Sequence, residues 1–260
     1  MRIATWNVNS VGARIDRVVE WLESAQPDVV ALQELKCTDE AFPHVPIQAA
    51  GYEAVTHGTG RWNGVAILTR VGVTDVVRGL VGQPEFDGAA EPRAIGATCN
   101  GVRVWSLYCP NGREPGHDHY NYKLDWFKAL NTTIAGDLAH YPKLPLAYIG
   151  DYNIAPTDAD VWDIEKFVDS THVTAAERAA LTDIQELGLT EVMPRSLKGE
   201  PYTFWDYRNG SFHRGWGMRI DLVYGNQAFT SLVSDAYVDR DARKGKGASD
   251  HAPVVVDLDL

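Results

Sequence analysis

Hydrophobic and polar positions along the chain fall into short runs that predict many strands and few helices. Residues 2–8 read as a strand closing on Asn7. The stretch 13–25 reads as a helix, because Val11, Ile15, Val18, Val19 and Leu22 recur at helical spacing and Pro27 bars extension. Val29-Val30-Ala31-Leu32 is a nearly continuous apolar run, the mark of a buried strand, and it delivers Gln33 and Glu34 at its end. Residues 52–57, 64–71 and 73–78 predict successive strands between Gly-rich turns, and the polar segment 79–92 predicts a surface loop. Residues 93–99 and 102–109 flank Asn100-Gly101, a strong hairpin signal.

After a loop from Pro110 to His119, residues 120–138 place Leu124, Phe127, Leu130 and Ile134 near one helix face. Residues 144–149 predict a strand and 150–156 the loop at its end. A third helix spans 174–187, where Thr174 and Glu177 have capping-box spacing. Residues 202–215 are aromatic and polar without a period, and 220–224, 229–238 and 253–259 predict the last strands. Strands outnumber helices and hairpins recur, so the expected class is mixed α/β (α+β) with mainly antiparallel pairing. Two packed sheets with helices outside suit the count. No Gly-, Pro- or Ser-rich linker interrupts residues 1–260, which predicts a single domain.

Composition narrows the class. Apolar types make up 45% of the 260 residues, enough for a sizeable core, and no run approaches the length of a membrane span. The N-terminus begins directly in strand-like sequence without a charged-then-apolar leader, which predicts a soluble, cytoplasmic protein. Cys37, Cys99 and Cys109 have no paired spacing, so neither a disulfide scaffold nor a cysteine metal site is expected. A net charge of −11 argues against passive coating of nucleic acid. The charge is uneven, however: residues 153–191 hold nine acidic and two basic side chains, residues 195–219 five basic and two acidic. Arg240, Arg243, Lys244 and Lys246 add a further basic patch. Such unevenness fits an enzyme that meets phosphates on one face.

The candidate chemistry lies at strand ends. Asn7 and Glu34 end the first two strands, Asp151 and Asn153 follow the apolar run 146–149, Asp221 sits inside Arg219–Tyr224, and Asp250-His251 precedes the last strand. A carboxylate against an apolar strand is costly unless paired or bound to a metal. The set is rich in oxygen, which suits Mg²⁺ or Mn²⁺ better than Zn²⁺. No phosphate-binding GxxxxGK[ST], dinucleotide GxGxxG or nucleophile-elbow GxSxG run is present.

These residues sit in recognisable motifs. Trp6-Asn7-Val8-Asn9, Leu32-Gln33-Glu34-Leu35-Lys36, Tyr108-Cys109-Pro110-Asn111-Gly112, Gly150-Asp151-Tyr152-Asn153-Ile154-Ala155-Pro156, Thr203–Arg208 with Met218–Asp221, and Ser249-Asp250-His251-Ala252-Pro253-Val254 occur in order over essentially the whole chain. In this the sequence resembles the bacterial exonuclease III (abasic-site endonuclease) family of the endonuclease/exonuclease/phosphatase superfamily.

The resemblance implies a four-layer α/β sandwich and a Mg²⁺-dependent DNA repair enzyme, with Mn²⁺ able to substitute. The implied activities are 3′–5′ exonuclease, abasic-site endonuclease and 3′-phosphodiesterase, on double-stranded DNA with abasic sites, nicks or 3′ ends. A monomer is expected. Implied catalytic residues are Asp151, His251, Tyr108, Asp221 and Asn153. Implied metal residues are Glu34, Asn7, Asp250, Asp151 and Asn153. Arg93, Lys123, Asn111, Arg208 and Arg219 are candidates for DNA phosphates, and Phe204, Trp205 and Met218 for an abasic pocket, with Trp216 as a possible wedge. Two other readings compete: a superfamily phosphatase acting on phosphoinositides or lipids, and a nucleic-acid-binding protein without catalysis.

Overall fold

The computed structural model describes all residues from Met1 to Leu260. Thirteen strands form in chain order: β1 (Arg2–Asn7), β2 (Val29–Gln33), β3 (Glu53–His57), β4 (Val65–Thr69), β5 (Thr74–Arg78), β6 (Ala94–Cys99), β7 (Val102–Tyr108), β8 (Leu146–Asp151), β9 (Thr190–Glu191), β10 (Arg195–Ser196), β11 (Asp221–Gly225), β12 (Val233–Val238) and β13 (Val254–Leu258). One sheet has the order β10-β12-β13-β1-β2-β4-β3 and the other β5-β6-β7-β8-β11-β9. Pairing is antiparallel except at β1–β2, β7–β8 and β10–β12. Two sheets with helices on their outer faces make a four-layer α/β sandwich.

Alternation along the strands builds the layers. Ile3, Val29, Ala31 and Ile67 of the first sheet meet Ile95, Val104, Ala147 and Ile149 of the second in one buried cluster between the sheets. The opposite faces of β1, β2 and β4, through Trp6, Val30, Leu32 and Leu68, pack under helices α1 (Val11–Ala25) and α2 (His44–Ala49). Trp105, Leu107, Tyr148 and Leu222 pack under α3 (Asp118–His140) and α4 (Ala175–Glu186). Coverage on both faces is why β2 is apolar at consecutive positions rather than alternating.

The differences from the sequence reading are local. Helix α1 starts two residues early, with the Ser10 side chain accepting from the Ala13 N–H at 3.4 Å. Helix α2 and the two-residue strands β9 and β10 carry no period long enough to detect. The expected strand 229–238 is a helical turn over 227–230 followed by β12. The Thr174/Glu177 capping box forms as expected. No helix is long and apolar enough to cross a membrane.

The topology places the chemistry. The parallel strands β1, β2, β7 and β8 all run toward one end of the sandwich, and the antiparallel strands β11 and β13 begin there. Register aligns Asn7 with Gln33, Tyr108 with Asp151, and Asp151 with Asp221. Gly150 permits the approach of β7: a Cβ on it would sit 1.9 Å from the Leu107 carbonyl oxygen.

Candidate active site

Two asparagines lace the carboxylates together. The buried Asn7 amide donates to Glu34 Oε1 and to Asp151 Oδ2, each at 2.9 Å, and so ties the ends of both sheets. Its Oδ1 accepts the Asn9 N–H at 2.9 Å. Asn9 donates in turn to Asp250 Oδ1 at 3.0 Å and accepts from Lys36 Nζ at 2.6 Å, while Lys36 pairs with Glu34 Oε2 at 2.8 Å. Glu34 reaches this position from a left-handed backbone, φ 56°, one residue past the end of β2. Asn9 and Lys36 were not singled out from sequence, although both stand inside the quoted motifs. Only their contacts reveal them.

On the other side of Asp151, His251 Nδ1 donates to Asp221 Oδ2 at 2.8 Å and its Nε2 lies 3.9 Å from Asp151 Oδ2. The His251 backbone is fixed on both sides and its ring packs on an aromatic. The His251 N–H donates to Ser249 Oγ at 3.2 Å, the carbonyl accepts the Trp6 indole N–H at 3.1 Å, and Phe204 lies 4.9 Å from the imidazole. Ser249 itself donates to the Asn7 carbonyl at 2.7 Å and so struts the end of β1. Thr203 Oγ1 accepts the backbone N–H groups of Ile220 and Asp221, fixing the start of β11.

Charge at the site follows from these contacts. Burial pushes the Asp151 carboxyl up, to about 7. His251 pulls against the rise, and the Asp221 and Glu34 carboxylates add to it. Burial alone would lower His251, but the charge and hydrogen bond of Asp221, with Asp151 and Asp250 nearby, raise it to about 10. Burial also opposes ionisation of Glu34, yet Lys36 and the Asn7 amide hold it below the usual range. Tyr108 is pushed well up by burial and then by the Glu34 charge, so its hydroxyl stays a donor. The site therefore carries an ionised glutamate, an imidazolium and a phenol at neutral pH.

The donors fit a divalent cation. Carboxylate oxygens of Asp151 and Asp221 lie within 4.8 Å of each other beside the His251 ring, and Asp221 Oδ1 is buried without any hydrogen-bond partner. Burial first, and then the neighbouring Asp221 and Glu34 charges, raise Asp151, and a cation at the site relieves both. Because His251 Nδ1 is committed to Asp221 and the ring is protonated, oxygens rather than imidazole are the available ligands, which favours a hard ion.

Asn153 has both ends of its side-chain amide engaged. Its Oδ1 accepts from Asn111 Nδ2 at 3.2 Å and its Nδ2 donates to the Cys109 carbonyl at 3.0 Å. It buttresses the loop after β7, with its own N–H on Asp151 Oδ1 at 2.9 Å and one amide proton left for a phosphate. His172, not anticipated from sequence, holds the Asn153 carbonyl through Nδ1 at 2.5 Å. A lone histidine in an acidic stretch gives no signal beforehand.

Three expected phosphate contacts are corrected. Lys123 is completely buried, pairs with the equally buried Glu177 at 2.5 Å, and donates to the carbonyls of Asn111 and Asn153. Arg93 is buried against Glu91 at 2.6 Å and lies over the Tyr108 ring. Arg219 is buried between Asp160 at 2.6 Å and Glu191. These cations brace the site from inside and face no solvent. Arg208 is exposed and pairs with Asp206 at 2.6 Å, and Asn111 is exposed on its loop.

The pocket is corrected as well. Trp205 is 1% exposed and packs with Tyr202, Val238 and Ala252. Phe204 and Met218 instead line a cavity of about 450 Å³ with Trp162, Phe167 and Trp216. Trp216 stacks on Trp162 at 4.6 Å and 17°, which makes it a wall of the cavity rather than a free wedge.

Comparison with known proteins agrees with this fold. The family model for the endonuclease/exonuclease/phosphatase family matches residues 4–251. Exodeoxyribonuclease III of Haemophilus influenzae is 27% identical over 98% of both chains. DNA repair nuclease APEX1 of Danio rerio is 26% identical over 99% of this chain and 82% of its own. A 3′–5′ exonuclease from Neisseria meningitidis superposes with a TM-score of 0.93 at 37% identity, covering all of both chains. An AP endonuclease from Archaeoglobus fulgidus gives a TM-score of 0.91 at 32% identity, again over all of both chains.

Proposed function

The chain belongs to the endonuclease/exonuclease/phosphatase family, and from that premise we propose that it is a DNA repair nuclease, hydrolysing backbone phosphates of duplex DNA with Mg²⁺. The substrates are 3′ ends, nicks, 3′ blocking groups and abasic sites, and Mn²⁺ can replace Mg²⁺. The enzyme acts as a monomer. A single observation carries this reading. The Asn7 amide joins Glu34 to Asp151, and the Asp221–His251 pair stands 3.9 Å from the same Asp151 oxygen. That arrangement offers a cation site, a proton acceptor and a phosphate donor around one point. Likeness to nucleases along the full chain favours DNA over a phosphoinositide.

Glu34 is the leading ligand, with Asn7 and Asp250 holding the ion directly or through water. The ion's contribution is Lewis-acid charge on the phosphoryl oxygens. Asp151, poised near neutrality by its buried setting, orients the attacking water and takes its proton. His251 donates from Nε2 to the phosphate, and Asp221 fixes its tautomer and charge. Tyr108 donates its hydroxyl to the phosphate or the leaving oxygen. The remaining Asn153 amide proton meets a non-bridging oxygen. The cavity walled by Phe204, Met218, Trp162 and Trp216 takes the sugar next to the scissile bond.

The test is digestion of end-labelled duplexes bearing an abasic site, a nick or a blunt end, with Mg²⁺ titrated and a phosphoinositide run in parallel. Mg²⁺-dependent shortening or incision that EDTA abolishes is expected. Cleavage that survives EDTA, or turnover of the phosphoinositide alone, would overturn the proposal.

A further inference from the structure

The buried cations Arg93, Lys123 and Arg219 are all neutralised, which leaves open where duplex DNA meets positive charge on a protein of net charge −11. Two arginines answer differently. Arg243, in the turn between β12 and β13, is only 9% exposed yet has no carboxylate within ion-pair distance. One of its N–H groups donates to the Trp205 carbonyl at 3.3 Å and its Nε has no partner. Its guanidinium lies 5.0 Å from the Tyr207 ring centre and 5.1 Å from that of Phe212.

Arg14 approaches the same tyrosine from α1. It donates to Tyr207 Oη at 2.9 Å and to the Asn9 carbonyl, it too lacks a carboxylate partner, and its Nε is unsatisfied. Tyr207 Oη donates in turn to the Ala248 carbonyl at 2.9 Å. Beside them a cavity of about 310 Å³ opens, lined in part by Tyr207, Ser211, His213, Arg243 and Lys244. Its carboxylate, Asp206, is taken by Arg208, and Lys244 makes only an exposed pair with Asp241.

Charges held like this repel one another. Burial pulls the Arg243 pKa down, and the proximity of Arg14 and Arg240 adds to that fall against the opposing pull of Tyr207 and Asp250. An unpaired buried charge costs stability. Arg243 borders the open cavity, and a planar guanidinium there without a carboxylate suits a phosphate oxygen pair better than any neutral partner. The position is close to the chemistry, since Asn9, whose carbonyl accepts from Arg14, also holds Asp250.

We propose that Arg14 and Arg243, arranged around Tyr207, form a cradle for a DNA backbone phosphate other than the scissile one. This rests on the nuclease reading above. The cradle gives the enzyme grip on duplex length, which a substrate confined to the reacting nucleotide does not engage. It also explains how an acidic protein holds DNA: a local pair of unneutralised arginines stands beside carboxylates that a cation offsets.

The experiment is equilibrium binding of a 20-base-pair nicked duplex with Ca²⁺ in place of Mg²⁺, with salt varied, for wild type, Arg14→Ala, Arg243→Gln and the control Lys143→Ala. Lys143 lies at the far end of β8, before Leu146. Each phosphate contact contributes about 0.9 to the slope of log affinity against log salt. Arg14→Ala and Arg243→Gln are each expected to lower that slope by up to about 0.9, and Lys143→Ala to leave it unchanged. Thermal melts accompany each variant. If Arg243→Gln is not folded, Arg14→Ala decides the matter. A wild-type slope in folded Arg14→Ala or Arg243→Gln overturns the cradle. Mg²⁺-dependent cleavage by the wild type is scored separately, so its absence would count against the nuclease reading and not against the cradle.

Discussion

The Asp221 carboxylate accepts the Nδ1 proton of His251 at 2.8 Å, although the two residues are 30 positions apart and come from the ends of different sheets. The bond fixes which imidazole nitrogen faces Asp151 and keeps the ring charged. Asp221→Asn is expected to reduce kcat roughly 100-fold or more. The pH profile carries the sharper signature. A group raised to about 10 stays protonated until pH rises through that value, so wild-type activity that needs imidazolium persists into alkaline pH. In the variant the alkaline limb moves down toward the ordinary histidine range. A limb that stays in place would mean that Asp221 does not set the charge of His251.

Glu34 stands between a cation of the protein and the site proposed for a cation from solution, since Lys36 and Asn7 each hold one of its oxygens. Glu34→Gln is expected to raise the Mg²⁺ concentration for half-maximal cleavage on the order of 10- to 100-fold. Activity against Mg²⁺, with a melt to verify folding, measures this. An unchanged half-saturation point removes Glu34 from the ligand set.

The Lys123–Glu177 pair has no exposed surface on either side chain. Lys123→Met strands a buried carboxylate and should cost about 3–5 kcal/mol in urea denaturation. Converting both residues, Lys123→Met with Glu177→Gln, should recover part of that loss. Equal losses in the single and double variants would show that the pairing itself is unimportant.

Trp205 and Trp162 separate core from pocket. Trp205→Ala should destabilise the fold by about 3–5 kcal/mol, because the ring is buried among Tyr202, Val238 and Ala252. Trp162→Ala removes a half-buried cavity wall and should cost about 1–3 kcal/mol of substrate binding. It should also shift the rate ratio between abasic and intact ends, a ratio that Trp205→Phe leaves near the wild-type value. A shift larger in Trp205→Phe than in Trp162→Ala would return Trp205 to the pocket.

Much was legible along the chain because the determinants are local. Apolar periodicity marked the long helices and central strands, and acidic or amide residues at strand ends marked Asn7, Glu34, Asp151, Asn153, Asp221 and Asp250 as a set, with His251 beside them. The motifs then named the family. What one dimension cannot carry is which charges find each other. Lys123, Arg93 and Arg219 look like any other surface cations until the fold places Glu177, Glu91 and Asp160 against them. Trp205 and Trp162 differ by burial alone, and burial depends on which elements pack across them. Asn9 acts through contacts distant in sequence, with Asp250 and with Lys36. Side-chain type and strand period thus pointed to the class, and the ordered motifs to the family and to the candidate site residues. Tertiary packing decided which polar groups are neutralised and which remain free to meet a phosphate, because electrostatic pairing depends on distance in space.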